Sequence, residues 1–174
     1  MKKSAIKPTG MESPFDDDEI IVSKTDLKGH LTYVNDVFLR VSRYSAKDII
    51  GQPHSIIRHP DMPRSIFKLL WDTIAAKGEI FAYVVNLASN GDHYWVLAHV
   101  TPSFDMQGNV VGYHSNRRKP DPDKIEKVVA LYDDLRAREN DIRNRKDGMA
   151  AAHTHFMNSL NTRGVGYDEF ILTL

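Results

Sequence analysis

Residues 80–118 read IFAYVVNLASNGDHYWVLAHVTPSFDMQGNVVGYHSNRR. Three runs rich in β-branched and aromatic residues, Ile80–Leu87, Asp92–Ser103 and Asn109–Arg118, alternate with two turns. Asn90-Gly91 is a hairpin signal, because a two-residue loop needs the positive φ that these residues adopt. Asp105-Met106-Gln107-Gly108 is the second turn. The spacing therefore predicts three consecutive antiparallel strands. In the middle strand Tyr94, Val96, Ala98 and Val100 share one face, and His93, Trp95, Leu97 and His99 share the other. The all-apolar set points inward, which leaves His93 and His99 outward. In the first strand Ala82, Val84 and Asn86 share a face. An amide on an apolar face must be hydrogen-bonded, which marks Asn86 as a candidate binding residue.

Working toward the N-terminus, Pro63 opens a helix with Ile66, Phe67, Leu70, Trp71 and Ile74 on one stripe. Trp71 there serves either as core or as a face on which a flat ring stacks. Residues 52–63 contain Pro53, Pro60 and Pro63 and no regular period, so they form a shaped loop. Such a loop presents Arg58, His59 and Asp61 with little loss of entropy, either as ligand contacts or, for Asp61, as a cap on the helix that follows. Two short helices precede it, opened by Asn35-Asp36 and by Ser45. Before them, Glu19–Thr25 and His30–Val34 form a hairpin around Asp26-Leu27-Lys28-Gly29. The order β-β, helices, β-β-β predicts an α+β layer fold: a five-stranded antiparallel sheet with short helices on one face and a small-molecule cavity between them.

The flanks differ in character. Residues 1–18 hold Pro8, Gly10, Pro14 and the acidic run 16–19 begins within them, so they are expected as a mobile arm before a domain at 19–119. Pro120 and Pro122 mark the boundary to a helical segment over 120–174. In it Ile125, Val128, Val129, Tyr132, Leu135 and Ile142 make a stripe, Gly148 interrupts the helix, and Tyr167, Phe170, Ile171 and Leu172 form an apolar end. One helix cannot bury that stripe alone. It is expected either to fold back on the sheet or, the preferred reading, to pair with a second chain in a homodimer.

Composition narrows the function. Twenty-three basic and 23 acidic residues balance, which disfavours a dedicated nucleic-acid binder. There are no cysteines, so disulfides, thiolate metal sites and a flavin–cysteinyl photoadduct are excluded. No apolar run is long enough for a membrane span and the N-terminus has no secretory signal pattern, so a cytoplasmic location is expected. No catalytic constellation stands out, and the chain is expected not to be an enzyme.

Several motifs together resemble a known family. They are Thr25-Asp26-Leu27, Tyr33-Val34-Asn35-Asp36, Gly51-Gln52-Pro53-His54, Arg58-His59-Pro60-Asp61-Met62-Pro63, Asn90-Gly91-Asp92-His93-Tyr94-Trp95-Val96 and Gly112-Tyr113. In this order, over residues 19–118, they resemble a PAS domain, and more narrowly the flavin-binding PAS domain of bacterial aerotaxis receptors. The resemblance implies non-covalently bound FAD and a redox or oxygen signal passed to a chemotaxis receptor or histidine kinase. It implies cofactor contacts from Arg58, His59, Asp61, Trp71 and Asn86, with Asn35 and Tyr94 at family positions near the ligand. The family usually has Pro-Trp-x-Gly at the third strand; here Ile80-Phe81-Ala82-Tyr83 stands there. Phe81 would replace the stacking Trp, and Tyr83 would fill space beside the ligand. The alternatives are a cofactor-free PAS interaction module and, were the fourth strand's faces reversed, a haem sensor ligated by His93 or His99.

Overall fold

A computed structural model describes residues 6–174. The strands are β1 (Ile21–Thr25), β2 (Leu31–Val34), β3 (Ile80–Leu87), β4 (His93–Phe104) and β5 (Val110–Arg118). They form one antiparallel sheet in the order β2-β1-β5-β4-β3. Between β2 and β3 lie α1 (Asp36–Ser42), α2 (Ala46–Ile49), a 3-10 turn (His54–Ile57) and α3 (Arg64–Ala75). Three helices follow the sheet: α4 (Pro122–Asp141), α5 (Arg145–Arg163) and α6 (Tyr167–Leu172). The expected α+β architecture is present.

The elements form for local reasons that the sequence displays. Asn35 and Ser45 cap α1 and α2 through the N–H groups of Phe38 and Asp48. Asp26 Oδ1 accepts from the N–H groups of Lys28 and His30, closing the β1–β2 turn with Gly29 at φ 80°. Tyr94, Val96, Ala98 and Val100 are the buried face of β4, as the alternation requires. With Ile21, Leu31, Phe38, Ile57, Ile66, Ile74 and Ile80 they make the core under the helices. Each such side chain contributes about 1.5–3 kcal/mol on full burial.

Three features of the flanks bear on the expectations. The arm is not free over its described part, although residues 1–5 lie outside the described residues. β5 ends opposite Leu97, which leaves the start of β4 without a strand on that side, while β3 pairs it on the other. Residues 9–13 take that place: Thr9 N–H donates to Gly91, and the His93 backbone pairs with Met11 and Ser13, each at 2.8 Å. Ser13 Oγ donates to the Val41 carbonyl and Phe15 is buried.

Second, the α4 stripe takes the fold-back reading within the chain, with Val129 and Ile142 remaining exposed. Val128, Tyr132 and Leu135 are buried within one chain, and Ala152, Phe156 and Leu160 of α5 close over them. α6 packs on β3, and Tyr167 and Phe170 stack edge-on against Phe156, so the apolar end is seated except for Leu172. Third, Gly148 does not interrupt a helix. It lies inside α5, buried, where a Cβ would overlap the Glu139 carbonyl, so its missing side chain is what lets α4 and α5 cross.

The tail also protects the exposed edge of the sheet. β3 is an edge strand. Val85 N–H donates to Met62 Sδ, Arg58 bridges Asn86, and Tyr132 Oη donates to the Tyr83 carbonyl. Backbone groups that would otherwise template a foreign strand are thereby occupied.

Candidate functional site

A cavity of about 350 Å³ lies between the inner face of the sheet and α3. Its walls are apolar: Ile57, Phe67, Leu70 and Ile74 from the loop and α3, and Val84, Ala98 and Val100 from the sheet. Trp71 and Tyr113 meet edge-on, with ring centroids 5.7 Å apart, and line it beside Gly29. A Cβ on Gly29 would come within 3.0 Å of the Trp71 ring, so this glycine gives the indole its position.

One end of the cavity is polar. Arg117 of β5 is buried and donates through Nη2 to His54 Nε2 at 2.6 Å and to Ser23 Oγ at 2.9 Å. A guanidinium only donates, so His54 Nε2 must accept and the ring is neutral. Burial and the neighbouring Arg117 and Arg58 charges push His54 down to about 3. Burial pulls Arg117 down to about 10, which leaves it a cation at neutral pH. Arg58 lies with its guanidinium 3.9 Å from the Phe67 ring centroid, a cation–π contact that holds it on the cavity wall.

Four polar atoms on this lining are buried and have no partner among the described residues: Asn86 Nδ2, Thr25 Oγ1, Ser115 Oγ and Arg117 Nη1. Tyr94, directly opposite Asn86 across the strands, has an unpaired hydroxyl as well. Leaving such a group unsatisfied costs about 1–3 kcal/mol each. These atoms are spread along the sheet wall of the cavity, from Thr25 on β1 through Ser115 and Arg117 on β5 to Asn86 on β3, so the wall has hydrogen bonds reserved for a ligand with polar groups.

The residues expected at the site separate into two groups. Asn86, Arg58 and Trp71 line the cavity, and Tyr94 lies on the same inner face. Trp71 is not core; it is 38% exposed. Phe81 is corrected: it is on the outer face of β3, stacked on His99 at 4.2 Å, because strand alternation puts it opposite Ala82. Tyr83 shares that outer face, buried on the side where Tyr132 and α6 pack, and takes no space from the cavity. His59 and Asp61 do not line it either. His59 is buried beside His93, and Asp61 is exposed and paired with Arg136. Asn35 is a structural clamp, accepting from Phe38 and Val22 N–H and donating to the Ile20 carbonyl. His93 and His99 are outward, so neither reaches the cavity as a haem ligand; His99 pairs with Glu79.

His54, Arg117, Ser115 and Thr25 were not singled out from the sequence as contacts. The available signal was alternation in β5, where Tyr113, Ser115 and Arg117 share a face with no apolar excuse for an arginine.

Comparison with known proteins agrees with this geometry. A family model described as the PAS fold matches residues 31–117. The aerotaxis receptor of Escherichia coli is 41% identical over 130 residues, 74% of this chain and 25% of the receptor. The nitrogen fixation regulatory protein of Klebsiella pneumoniae is 27% identical over 57% of this chain and 20% of its own length. The chain thus spans about a quarter or less of these relatives. Among solved structures, the light-state LOV domain of the blue-light photoreceptor Aureochrome1 superposes with a TM-score of 0.57 at 24% identity, covering 63% of this chain and 88% of that one. With five antiparallel strands in PAS order, helices on the inner face and a matched segment that includes most of the cavity lining, the chain belongs to the PAS-fold family.

Proposed function

We propose that the chain is a PAS sensory module whose inner cavity holds the ring of a flavin, FAD, and which passes a redox or oxygen signal to a chemotaxis receptor or histidine kinase without turnover of its own. The observation that carries this is the set of buried polar atoms, Asn86 Nδ2 foremost, that have no partner among the described residues and lie along the sheet wall of an otherwise apolar cavity. The volume suits a planar ring system, being at the lower end of the roughly 300–1,000 Å³ of small-molecule sites. When bound, the flavin supplies reversible electron uptake.

The chain's own residues do the rest. Arg117 Nη1, Ser115 Oγ and Asn86 Nδ2, without partners among the described residues, are available to donate to acceptors at different points of the ligand. Arg117 places a buried positive charge there, and neutral His54 holds the guanidinium by accepting from Nη2. Leu70, Val84 and Val100 exclude water from the ring faces. α3 carries Phe67, Leu70, Trp71 and Ile74 on the cavity, and its first turn is held by Glu139 of α4. A ligand that shifts α3 therefore acts on the helical tail.

The test is the visible spectrum of the chain after reconstitution with FAD, in wild type and in Asn86→Leu and Arg117→Met. Wild type retains flavin through gel filtration. Each variant loses about tenfold or more in affinity while its far-ultraviolet circular dichroism is unchanged. Full flavin retention in both variants, or no flavin bound by wild type, overturns the proposal.

A further inference from the structure

A second cavity, of about 680 Å³, lies outside the PAS core between the hexapeptide loop and the turn joining α4 to α5. Five arginines line it: Arg58, Arg64, Arg136, Arg143 and Arg145, against a single carboxylate, Glu139. That carboxylate is already used. Its oxygens accept from Arg64 Nε and from the backbone N–H groups of Arg64 and Ser65 at 2.7–3.1 Å. Arg136 is balanced by Asp61 and Asp133. Arg58, Arg143 and Arg145 have no ion pair among the described residues. In a chain with 23 charges of each sign, three unbalanced guanidinium groups lining one concave groove are a local excess, not a reflection of composition.

The excess is also badly placed for the fold itself. Arg145 begins α5, with Arg143 two residues before it, and the partial positive charge of a helix start disfavours cations there. Folding alone would favour acidic residues at these positions. An anion in the groove would reverse the balance, and a concave low-dielectric wall strengthens its attraction. Arginine forks match phosphate oxygens two at a time, and the volume is that of a small ligand rather than a chain.

We infer that this groove binds a phosphate-bearing ligand, with Arg143 and Arg145 of the tail supplying the charge. Arg58 borders both cavities, so the phosphate has two sources: the diphosphate of a dinucleotide whose ring occupies the inner cavity, or a separate phosphorylated molecule. The first source rests on the flavin reading; the groove itself does not.

The experiment titrates the full chain, free of flavin, with inorganic pyrophosphate by calorimetry at low and moderate salt. It is repeated on Arg143→Ala/Arg145→Ala and on a control, Lys47→Ala/Lys127→Ala, which removes two exposed charges elsewhere. Arg143 and Arg145 are exposed, so the variant keeps its fold, which a melting curve checks. Wild type and control bind alike, and the arginine variant is weaker by about tenfold or more. No pyrophosphate binding, or equal weakening in both variants, overturns the inference.

A second arm compares FAD with riboflavin. If the dinucleotide is the source, FAD binds more tightly than riboflavin, competes with pyrophosphate, and loses its advantage in the arginine variant. If FAD and pyrophosphate bind together without competition, the site serves a separate ligand. Pyrophosphate binding without any flavin binding retains the groove and removes the flavin reading alone.

Discussion

His54 shows how one residue ties the cavity to stability. It is half-buried, accepts from Arg117 and is held neutral, with its pKa lowered to about 3 by loss of solvent and by Arg117 and Arg58. In the unfolded chain it titrates at its ordinary value of about 6.5. Below that pH the unfolded state binds the proton and the native state does not, so stability is full above about 6.5 and is lost as pH falls toward 3, by about 1.4 kcal/mol per unit. His59 is lowered in the same sense, mainly by burial, and adds to the slope. We expect urea unfolding of the chain between pH 7 and pH 5 to lose on the order of 2 kcal/mol. His54→Gln, which keeps an acceptor without a titrating ring, should flatten that loss measurably; an unchanged slope would refute the assignment. Gly29 gives a second residue-scale test. At φ 80° and 3.0 Å from the Trp71 ring, it has no room for a side chain. Gly29→Val should displace the indole and shift Trp fluorescence, and cost about 1–3 kcal/mol from backbone strain and overpacking.

At the scale of elements, β3 explains both what the sequence disclosed and what it hid. Alternation in β4 put Tyr94, Val96, Ala98 and Val100 inward, and they are the buried face. In β3 the apolar run Tyr83-Val84-Val85 carries no alternation, because both faces are covered, one by the core and the other by the tail helices. Family position therefore misplaced Phe81, and only the pairing of Phe81 with His99 shows it outward. The hexapeptide misled for a related reason. Its regularity reflects edge protection, with Met62 and Arg58 on β3, as much as ligand contact, and only Arg58 reaches the inner cavity. Nor did a local cap exist to be found at α3: Pro63 offers none, and the carboxylate comes from 74 residues away. The edge bond from Tyr132 to the Tyr83 carbonyl is testable. Tyr132→Phe leaves that buried carbonyl unpaired without changing shape much, and should cost about 1–3 kcal/mol in urea unfolding. A loss below about 0.5 kcal/mol would mean that water replaces the hydroxyl. Where α4 and α5 cross, Gly148→Ala forces a methyl into the Glu139 carbonyl, and should lower the melting temperature although alanine is the better helix former.

For the molecule as a whole, the question is how a cavity in the sheet communicates with the tail, and α3 is the shared element. One end of α3 lines the cavity through Leu70 and Ile74, and the other is capped by Glu139. Glu139 is 3% exposed, so its side-chain oxygens are satisfied by three protein donors and not by water. Removing one partner of such a buried pair costs about 3–5 kcal/mol, because the other donors lose their acceptor and the first turn of α3 loses its only side-chain cap. Glu139→Ala should therefore destabilise the fold by about 3 kcal/mol or more, whereas Glu139→Gln, which keeps one acceptor oxygen, should cost roughly half as much. The two variants also separate local from global effects. If Glu139 is the joint between core and tail, limited proteolysis of Glu139→Ala should cut within the α4–α5 turn, at Arg143 or Arg145, well before the sheet is attacked. Adding the cavity ligand should protect that turn in wild type, whose joint is intact, and protect it less in the variant. Simultaneous cleavage of sheet and tail in Glu139→Ala would show that the two form a single cooperative unit. Equal ligand protection in both chains would show that α3 signals to the tail by contacts other than this carboxylate.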